Sequence, residues 1–324
     1  MRKITIILTA AAIGSMSVAG HSLTTQPRHL QSPTVTSATR PSGDARPMTI
    51  PLSIRVKGVI KPESELQMID LTVTEDGDPQ TILSIRAMGN NSPLTLAVLI
   101  QDDLVSSIAN EIKPMSSFIR KLPRGSRVMV GYVRSGSLQV RQKFTTDLEK
   151  AAKALRPPLG FASAAPFNPY VEVVEAINRF DAQPSGRRAI LLVSDGLDTS
   201  RGSDASTVTQ SIDLQRAINE SQRRSIAVYA FYAPSVIPQS QVLLAAAQSA
   251  LKRLGDETGG RAFFQGTGAP VSFDPFITEL GSSLDKQIAL TYLSTHPEKG
   301  FHRVRIRSSS PGVEIDHPAG YTRN

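Results

Sequence analysis

The chain has 324 residues, of which 40% are hydrophobic and 20% are charged, and its formal net charge is +8. This length and balance are those of a globular protein with one large or two modest domains. It contains no cysteine, which excludes disulfide bonds, cysteine-ligated zinc and thiol catalysis.

The N-terminus has the features of a secretory signal peptide. Arg2 and Lys3 form a short basic start, an apolar run follows over residues 4–12, and small residues continue to Gly20. The apolar run is shorter than the ~20 residues that a membrane span requires. We therefore predict a signal peptide over residues 1–20, an exported protein that is periplasmic or secreted, and no membrane span after cleavage.

The next segment, residues 21–49, is rich in serine, threonine and proline and lacks apolar periodicity. That composition is typical of a disordered linker. Short alternating strands follow over residues 50–91, and Asp76-Gly77 between two of them favours a tight hairpin turn. This part of the sequence predicts an N-terminal β segment.

Strands alternate with helices from residue 92 to 286. The runs at residues 94–100 and 189–193 are almost wholly apolar, as in parallel strands that are covered on both faces. The alternation predicts an α/β fold with a doubly wound, mostly parallel sheet and helices on both faces. We expect the C-terminal β segment, residues 287–324, to form a small β unit with the N-terminal one.

Acidic residues follow both apolar runs, at the strand ends where ligands bind in such sheets. Asp102 and Asp103 come after the first run, and Asp195 and Asp198 come after the second. Paired acids can perform acid–base chemistry, but no histidine pair has the i, i+4 spacing of a zinc site and no G-x-S-x-G motif occurs. The sequence therefore does not favour an enzyme.

Several segments, taken in this order, resemble the exported von Willebrand factor A (VWA)-related proteins of Acidobacteria. They are residues 75–80, 93–100, 193–198, 257–260 and 303–313, with Gly320-Tyr321 near the end. The resemblance covers residues 50–324. It implies a VWA-type, Rossmann-like α/β domain over residues 92–286 that binds a protein partner.

The resemblance also implies where a metal would bind. The family's metal-ion-dependent adhesion site has Asp-x-Ser-x-Ser after the first strand, a Thr from a middle loop and an Asp after the fourth strand. These oxygens hold a hard divalent cation, usually Mg²⁺. Asp195 matches the last Asp, whereas an ungapped register places Gln101 at the first Asp and Asp103 at the first Ser. A shift of one residue brings in Asp102 and Ser106 instead, and neither register restores the motif.

The loop before Tyr170 offers an asparagine in place of the Thr, so five residues are candidate metal ligands. They are Asp102, Asp103, Ser106, Asn168 and Asp195. One interpretation is a variant Mg²⁺ site; the other is that these side chains cap helices and brace loops. We favour the second, because two neutral oxygen ligands are lost together.

We therefore expect no cofactor, and an exported, non-catalytic protein-interaction or adhesion module with a degenerate metal-ion-dependent adhesion site. Two alternatives remain open. The first is a divalent-metal-dependent adhesion domain that binds Mg²⁺ through the variant site, and the second is an exported hydrolase of unrecognised type.

Three arginines alternate with apolar residues near the C-terminus. On a strand, Arg303, Arg305 and Arg307 would share one face, opposite Val304 and Ile306. One interpretation is a strand with its arginine face exposed to solvent and its apolar face buried. The alternative is that the arginines form a ridge that binds polyanions. No nucleic-acid-binding fold accompanies the arginines, so we expect a protein partner and no nucleic acid.

Overall fold

The structure is a computed structural model that describes residues 45–56, 71–88, 92–184, 186–202 and 204–323. The predicted signal peptide and most of the predicted linker lie outside the described residues. Within those ranges, no helix combines the length and the hydrophobicity needed to cross a membrane.

The described residues form thirteen strands and seven α-helices. The strands are β1 (Arg46–Val56), β2 (Leu71–Glu75), β3 (Asp78–Ala87), β4 (Leu94–Gln101), β5 (Arg127–Arg134), β6 (Ser137–Thr145), β7 (Arg187–Ser194), β8 (Ile226–Tyr232), β9 (Arg261–Phe263), β10 (Gln287–Ser294), β11 (Gly300–Ser308), β12 (Val313–Asp316) and β13 (Gly320–Arg323). The helices are α1 (Ile112–Arg120), α2 (Leu148–Ala154), α3 (Pro169–Asn178), α4 (Ala205–Thr209), α5 (Ile212–Arg223), α6 (Gln241–Thr258) and α7 (Asp274–Asp285).

The central sheet has six strands in the order β6-β5-β4-β7-β8-β9. Strand β4 pairs in parallel with both β5 and β7, and β7–β8 and β8–β9 are parallel as well. The edge strand β6 is antiparallel, because it follows β5 through a tight hairpin. The predicted mixed α/β class is confirmed, and the two apolar runs of the sequence are the neighbours β4 and β7.

Both faces of this sheet are covered by helices, which is why β4 and β7 are apolar nearly throughout. Leu96 and Val98 of β4 point to one face, where they join a buried cluster with residues of α1, α2 and α7. Ala97 and Leu99 point to the other face and join residues of α3, α5 and α6. Every residue of β4 is buried. Burial on this scale stabilises the fold by ~25 cal/mol per Å² of apolar surface.

The second sheet has seven strands in the order β12-β1-β10-β3-β2-β11-β13, all paired antiparallel. It combines strands from both ends of the chain around its own apolar core, which includes Leu52, Leu290 and Ile306. Strand β1 begins at Arg46, before the predicted end of the linker, because it pairs with the full length of β10.

Local sequence signals account for two features of this sheet. Asp76 and Gly77 both have positive φ, 50° and 102°, as a two-residue hairpin turn requires. In β11, Val304 and Ile306 are buried while the three arginines between and beside them are exposed. This alternation is the one expected of a strand with one solvated face.

The seven-stranded sheet is attached at the amino ends of the central strands. Arg187, the first residue of β7, donates to Gln287 Oε1 at 2.9 Å and to the Leu284 carbonyl at 2.6 Å. The amide of Ala319 donates to the Glu257 carbonyl near the end of α6. The opposite edge of the central sheet, where β4, β7 and β8 end, is therefore left uncovered by the second sheet.

Candidate functional site

The carboxyl edge of the central sheet brings together the two acidic segments of the sequence. Ile100 of β4 lies beside Val193 of β7 in the parallel register. The residues that follow each strand are therefore adjacent in space, although 93 residues of chain separate Gln101 from Ser194. We call this region the carboxyl edge, defined as the loops at residues 101–106, 155–168, 194–204, 233–240 and 264–273.

Gln101 links the two strand ends. Its Oε1 accepts a hydrogen bond from the Ser194 hydroxyl at 2.6 Å and from the Asp195 amide at 3.2 Å. Its Nε2 donates to Asp103 Oδ1 at 2.8 Å. Only 1% of Gln101 is exposed. A neutral amide thus provides both the donor and the acceptors that these buried groups need.

Asp102 is held by an arginine from a distant loop. Arg156 donates to both of its carboxylate oxygens at 2.7 Å, and the Leu159 amide adds a third bond at 3.0 Å. The guanidinium lies over the Tyr132 ring, 3.8 Å from its centroid. Its hydrogen bonds to Asp102 raise the pKa of Arg156 further. Asp102 is fully buried, so this two-point pairing neutralises a charge that solvent does not reach.

Asp103 and Asp195 follow the neighbouring strands β4 and β7, and both are buried. Burial raises the pKa of Asp195 to about 6, and the Asp103 carboxylate adds to the rise. Burial also raises the pKa of Asp103. Asp195 Oδ1 accepts from the Leu197 amide at 3.0 Å, which closes the turn after β7. Burial is therefore the main cause of both shifts, and repulsion from the Asp103 carboxylate adds to the shift of Asp195.

The remaining candidates support loops and helix starts. Asn168 caps α3 by accepting from the Tyr170 amide, and its Nδ2 donates to Asp213 at 2.7 Å. Asp198 accepts from the hydroxyls of Ser200 and Ser211, and Ser211 in turn caps α5. Asn168 and Asp198 therefore hold loops and helix starts in the structure.

The predicted metal ligands are not arranged as a metal site in the structure. Ser106 is exposed at the start of a short 3-10 helix, Asp102 is occupied by Arg156, and Asp103 faces an amide donor. In the part of the chain that the structure describes, no three His, Cys, Asp or Glu side chains are placed to hold a metal. The donor set as it stands does not fit Mg²⁺, which needs several oxygens at ~2.0–2.1 Å.

The sequence analysis did not predict that Arg156 pairs with Asp102. It considered Gln101 only as the residue that replaces the first Asp of the metal-ion-dependent adhesion motif. Nothing local to Arg156 in the sequence marks it, since it lies 54 residues from Asp102. Gln101 could have been recognised, because a polar residue ending an apolar buried strand needs partners for its amide.

Exposed apolar side chains concentrate at the carboxyl edge. Ten large hydrophobic residues are exposed in the described part of the chain, and eight of them lie in these loops or in the first turns of the helices that follow. They are Phe161, Phe167, Val171, Ile212, Ile237, Val242, Phe264 and Val271. The other two, Leu83 and Phe301, lie on the seven-stranded sheet.

Phe167 has a strained backbone and an exposed ring. Its φ is 63°, which is rare for a bulky residue and costs about 1–3 kcal/mol. The Thr199 amide donates to its carbonyl at 2.8 Å, and the Thr199 hydroxyl donates to it at 3.3 Å. The ring is nevertheless 64% exposed. Strain that presents an aromatic side chain to solvent is typical of a functional position.

No family model matches the sequence, and no curated protein matches it. Among solved structures, the chain is similar to an aerotolerance-related membrane protein of Bacteroides fragilis, at 13% identity and a TM-score of 0.39, over 59% of this chain and 99% of that one. It is also similar to BatB of Bacteroides thetaiotaomicron, at 11% identity and a TM-score of 0.38, over 59% and 98%.

A third similar structure is the VWA domain of SpRpn10, at 12% identity and a TM-score of 0.36, over 59% of this chain and 93% of that one. Likenesses this distant do not place the chain in a family. The strand order defines its class: an α/β protein with a mostly parallel sheet, whose carboxyl edge is not covered by the second sheet.

Removing the Arg156 guanidinium should make the protein less stable, because it leaves the buried Asp102 carboxylate without a counterion. We expect Arg156→Met to lower the free energy of unfolding by about 2–4 kcal/mol, since Arg156 is partly exposed and breaking a fully buried pair costs ~3–5 kcal/mol. Urea unfolding measures this loss. The double variant Asp102→Asn, Arg156→Met is the control and should recover most of it. A loss below about 1 kcal/mol in the single variant would show that Asp102 does not depend on Arg156.

The raised pKa of Asp195 predicts a pH-dependent stability. Between its usual pKa of 3.8 and its folded pKa of about 6, the carboxyl ionises in the unfolded chain first, so stability falls as pH rises through this window. Asp195→Asn should therefore be more stable than the wild type at pH 8 by about 1–3 kcal/mol, and equal to it near pH 4. Urea unfolding at both pH values checks this, with the exposed Asp204→Asn as control. An equal difference at both pH values would contradict it.

Proposed function

We propose that the protein is an exported, non-catalytic interaction module in which a VWA-type domain, residues 92–286, binds a protein partner through the carboxyl edge. The doubly wound arrangement and the additional β unit are part of this proposal. The observation that carries it is the concentration of exposed apolar side chains at one end of the central sheet, including the strained Phe167.

The composition of the carboxyl edge suits a protein partner. Of the described residues in its loops and in the adjoining β5–β6 turn, only Arg134, Arg201 and Asp204 are exposed ionic side chains. Cores of protein–protein interfaces are depleted in charge and enriched in aromatic residues. The backbone of Phe167 is already held by Thr199, so little backbone entropy would be lost on binding, which favours Phe167 as an anchor.

A non-catalytic role is supported by how the acids at this edge are used. Asp102, Asp103 and Asp198 are each bound to a guanidinium, an amide or hydroxyls within the fold. Their carboxylates serve the structure of the loops and do not face solvent. The degenerate adhesion site in this proposal would position those loops without a metal.

The alternative is adhesion that depends on a divalent metal through a variant site. The Asp103 carboxylate, which adds to the rise that burial causes in the pKa of Asp195, is the one observation in its favour, since a cation between the two acids would relieve this repulsion. For an exported hydrolase, the described residues offer no specific support.

Site-specific crosslinking tests the proposed interface. A photoreactive phenylalanine analogue placed at residue 161 or 167 of the full chain, in the cells that produce it, should give a covalent adduct with a discrete partner. The same analogue at residue 83 or 301 is the matched control, because Leu83 and Phe301 are exposed on the other sheet. Adducts that form equally at all four positions, or only at the controls, would refute the carboxyl edge as the interface.

Once a partner is captured, Phe167→Asn should weaken its binding at least tenfold, since asparagine tolerates positive φ and only the ring is lost. Leu83→Asn should leave binding unchanged. Direct titration with the purified partner measures both.

A further inference from the structure

The second sheet carries a row of arginines that the proposed function does not use. Arg303, Arg305 and Arg307 occupy alternate positions of β11, and all three are exposed. Alternate side chains of a strand point to the same face and lie about 7 Å apart. The three side chains therefore form a row, which we call the arginine row, on the face opposite the buried Val304 and Ile306.

The charges of the arginine row are not neutralised within the described part of the protein. None of the three guanidinium groups makes a hydrogen bond or an ion pair with a described residue. By contrast, Arg55 on the same sheet binds both Glu314 and Asp316. At a spacing below the Debye length of ~8 Å, three like charges repel one another. A binder with a matching row of negative charges would relieve that repulsion.

The neighbouring strands leave the arginine row open. Across the sheet, two of the arginines face Thr72 and Thr74 of β2, and the third faces Gly320 of β13. Threonine adds only a short hydroxyl-bearing side chain, and glycine has none. In these two described strands, no acidic side chain stands directly opposite the row. Their pairing with β11 uses its backbone on both sides, so a binder on this face contacts side chains.

A groove of about 660 Å³ adjoins the arginine row, between β11, β12 and the end of α6, and Arg303 and Arg305 line it. The four acids of the groove are paired with cations of the protein. Arg55 holds two of them, and the other two form the pairs Lys252–Asp256 and Arg253–Glu257 along α6. Among the described residues, the arginine row therefore supplies the cations of this groove that have no partner.

Strand β12 shows how this protein pairs acids at alternate strand positions with arginine. Glu314 and Asp316 are two residues apart, and Arg55 reaches both. Its Nε and Nη2 lie 2.7 and 2.8 Å from the two carboxylate oxygens of Asp316. Such forked bonds between guanidinium and carboxylate are stronger and more directional than bonds between neutral groups. A segment with acids at alternate positions is therefore a chemical match for the arginine row.

We propose that the arginine row binds an extended acidic segment of a protein partner, with carboxylates at alternate residues. Such a segment has the same spacing of about 7 Å as the row, so each carboxylate meets one guanidinium. The Thr74 hydroxyl, opposite Arg305, provides a further donor. Exposed ion pairs are individually weak, so binding depends on all three arginines and falls as salt is added. This surface lies on the second sheet and does not depend on the carboxyl edge.

Fluorescence anisotropy of labelled peptides with the purified chain tests the proposal. In the first peptide, glutamates lie two residues apart among threonines and serines. The second has the same composition, with its glutamates three residues apart. An extended chain places the glutamates of the first peptide on one face and those of the second on alternating faces. We expect the first peptide to bind about fivefold more tightly, because only its carboxylates all meet a guanidinium.

The triple variant Arg303→Gln, Arg305→Gln, Arg307→Gln should weaken binding of the first peptide by about tenfold or more and abolish the preference for it. Circular dichroism checks that the variant is folded, as expected for exposed side chains. The matched control is the triple variant Lys113→Gln, Lys121→Gln, Lys286→Gln. It removes the same charge from exposed positions at the ends of α1 and α7, and it should bind the first peptide as the wild type does.

The proposal is overturned if the wild type binds neither peptide, if it binds both equally, or if the lysine variant loses as much binding as the arginine variant. Inorganic polyphosphate is the competing probe. If it binds to the arginines and neither peptide does, the row recognises a phosphate polymer and the acidic segment is the wrong ligand. None of these results bears on the crosslinking test of the carboxyl edge, which uses residues 161 and 167.

Discussion

The parallel pairing of β4 with β7 is the constraint on which the carboxyl edge depends. Both strands are buried on both faces, and a shift of one residue would exchange the side chains that pack in the two apolar clusters. Their polar ends are therefore fixed side by side. Buried polar groups placed there need partners, and Gln101 provides them from within the sheet itself.

The acids of the carboxyl edge are held by groups of the protein itself. Arg156 neutralises Asp102, and the Gln101 side chain donates to the Asp103 carboxylate and accepts from the backbone amide of Asp195. This solution keeps the loops in place and leaves their outer surface apolar. The second sheet is attached at the other ends of the strands, so it does not cover that surface.

Much of the fold could be predicted from the sequence, because it is encoded in short-range periodicity. The apolar run of β4, the alternation in β11 and the Asp76-Gly77 turn each depend on a few neighbouring residues. The antiparallel edge position of β6 and the seven-strand order depend on long-range pairing, and the sequence pattern does not contain it.

The candidate site was predictable in position but not in chemistry. Strand-end acids predicted the carboxyl edge, since parallel strands deliver their ends to one side. The hydrogen-bond partners of these acids cannot be read from nearby sequence. Asp102 pairs with Arg156, which lies 54 residues later in the chain, and the other contacts depend on the rotamer of Gln101. Hydrophobic periodicity could not predict that Phe161 and Phe167 are exposed, because both lie in loops, where the sequence has no such periodicity.

Magnesium binding is the most direct test of a carboxyl edge that is held together without metal. Calorimetry would titrate MgCl₂ into the wild type and into Asp195→Ala, each free of other divalent ions. We predict no saturable heat in either protein, because Arg156 holds Asp102, Gln101 holds Asp103 and the Leu197 amide holds Asp195. Saturable binding by the wild type that Asp195→Ala abolishes would show that a cation organises the edge, and would contradict this description.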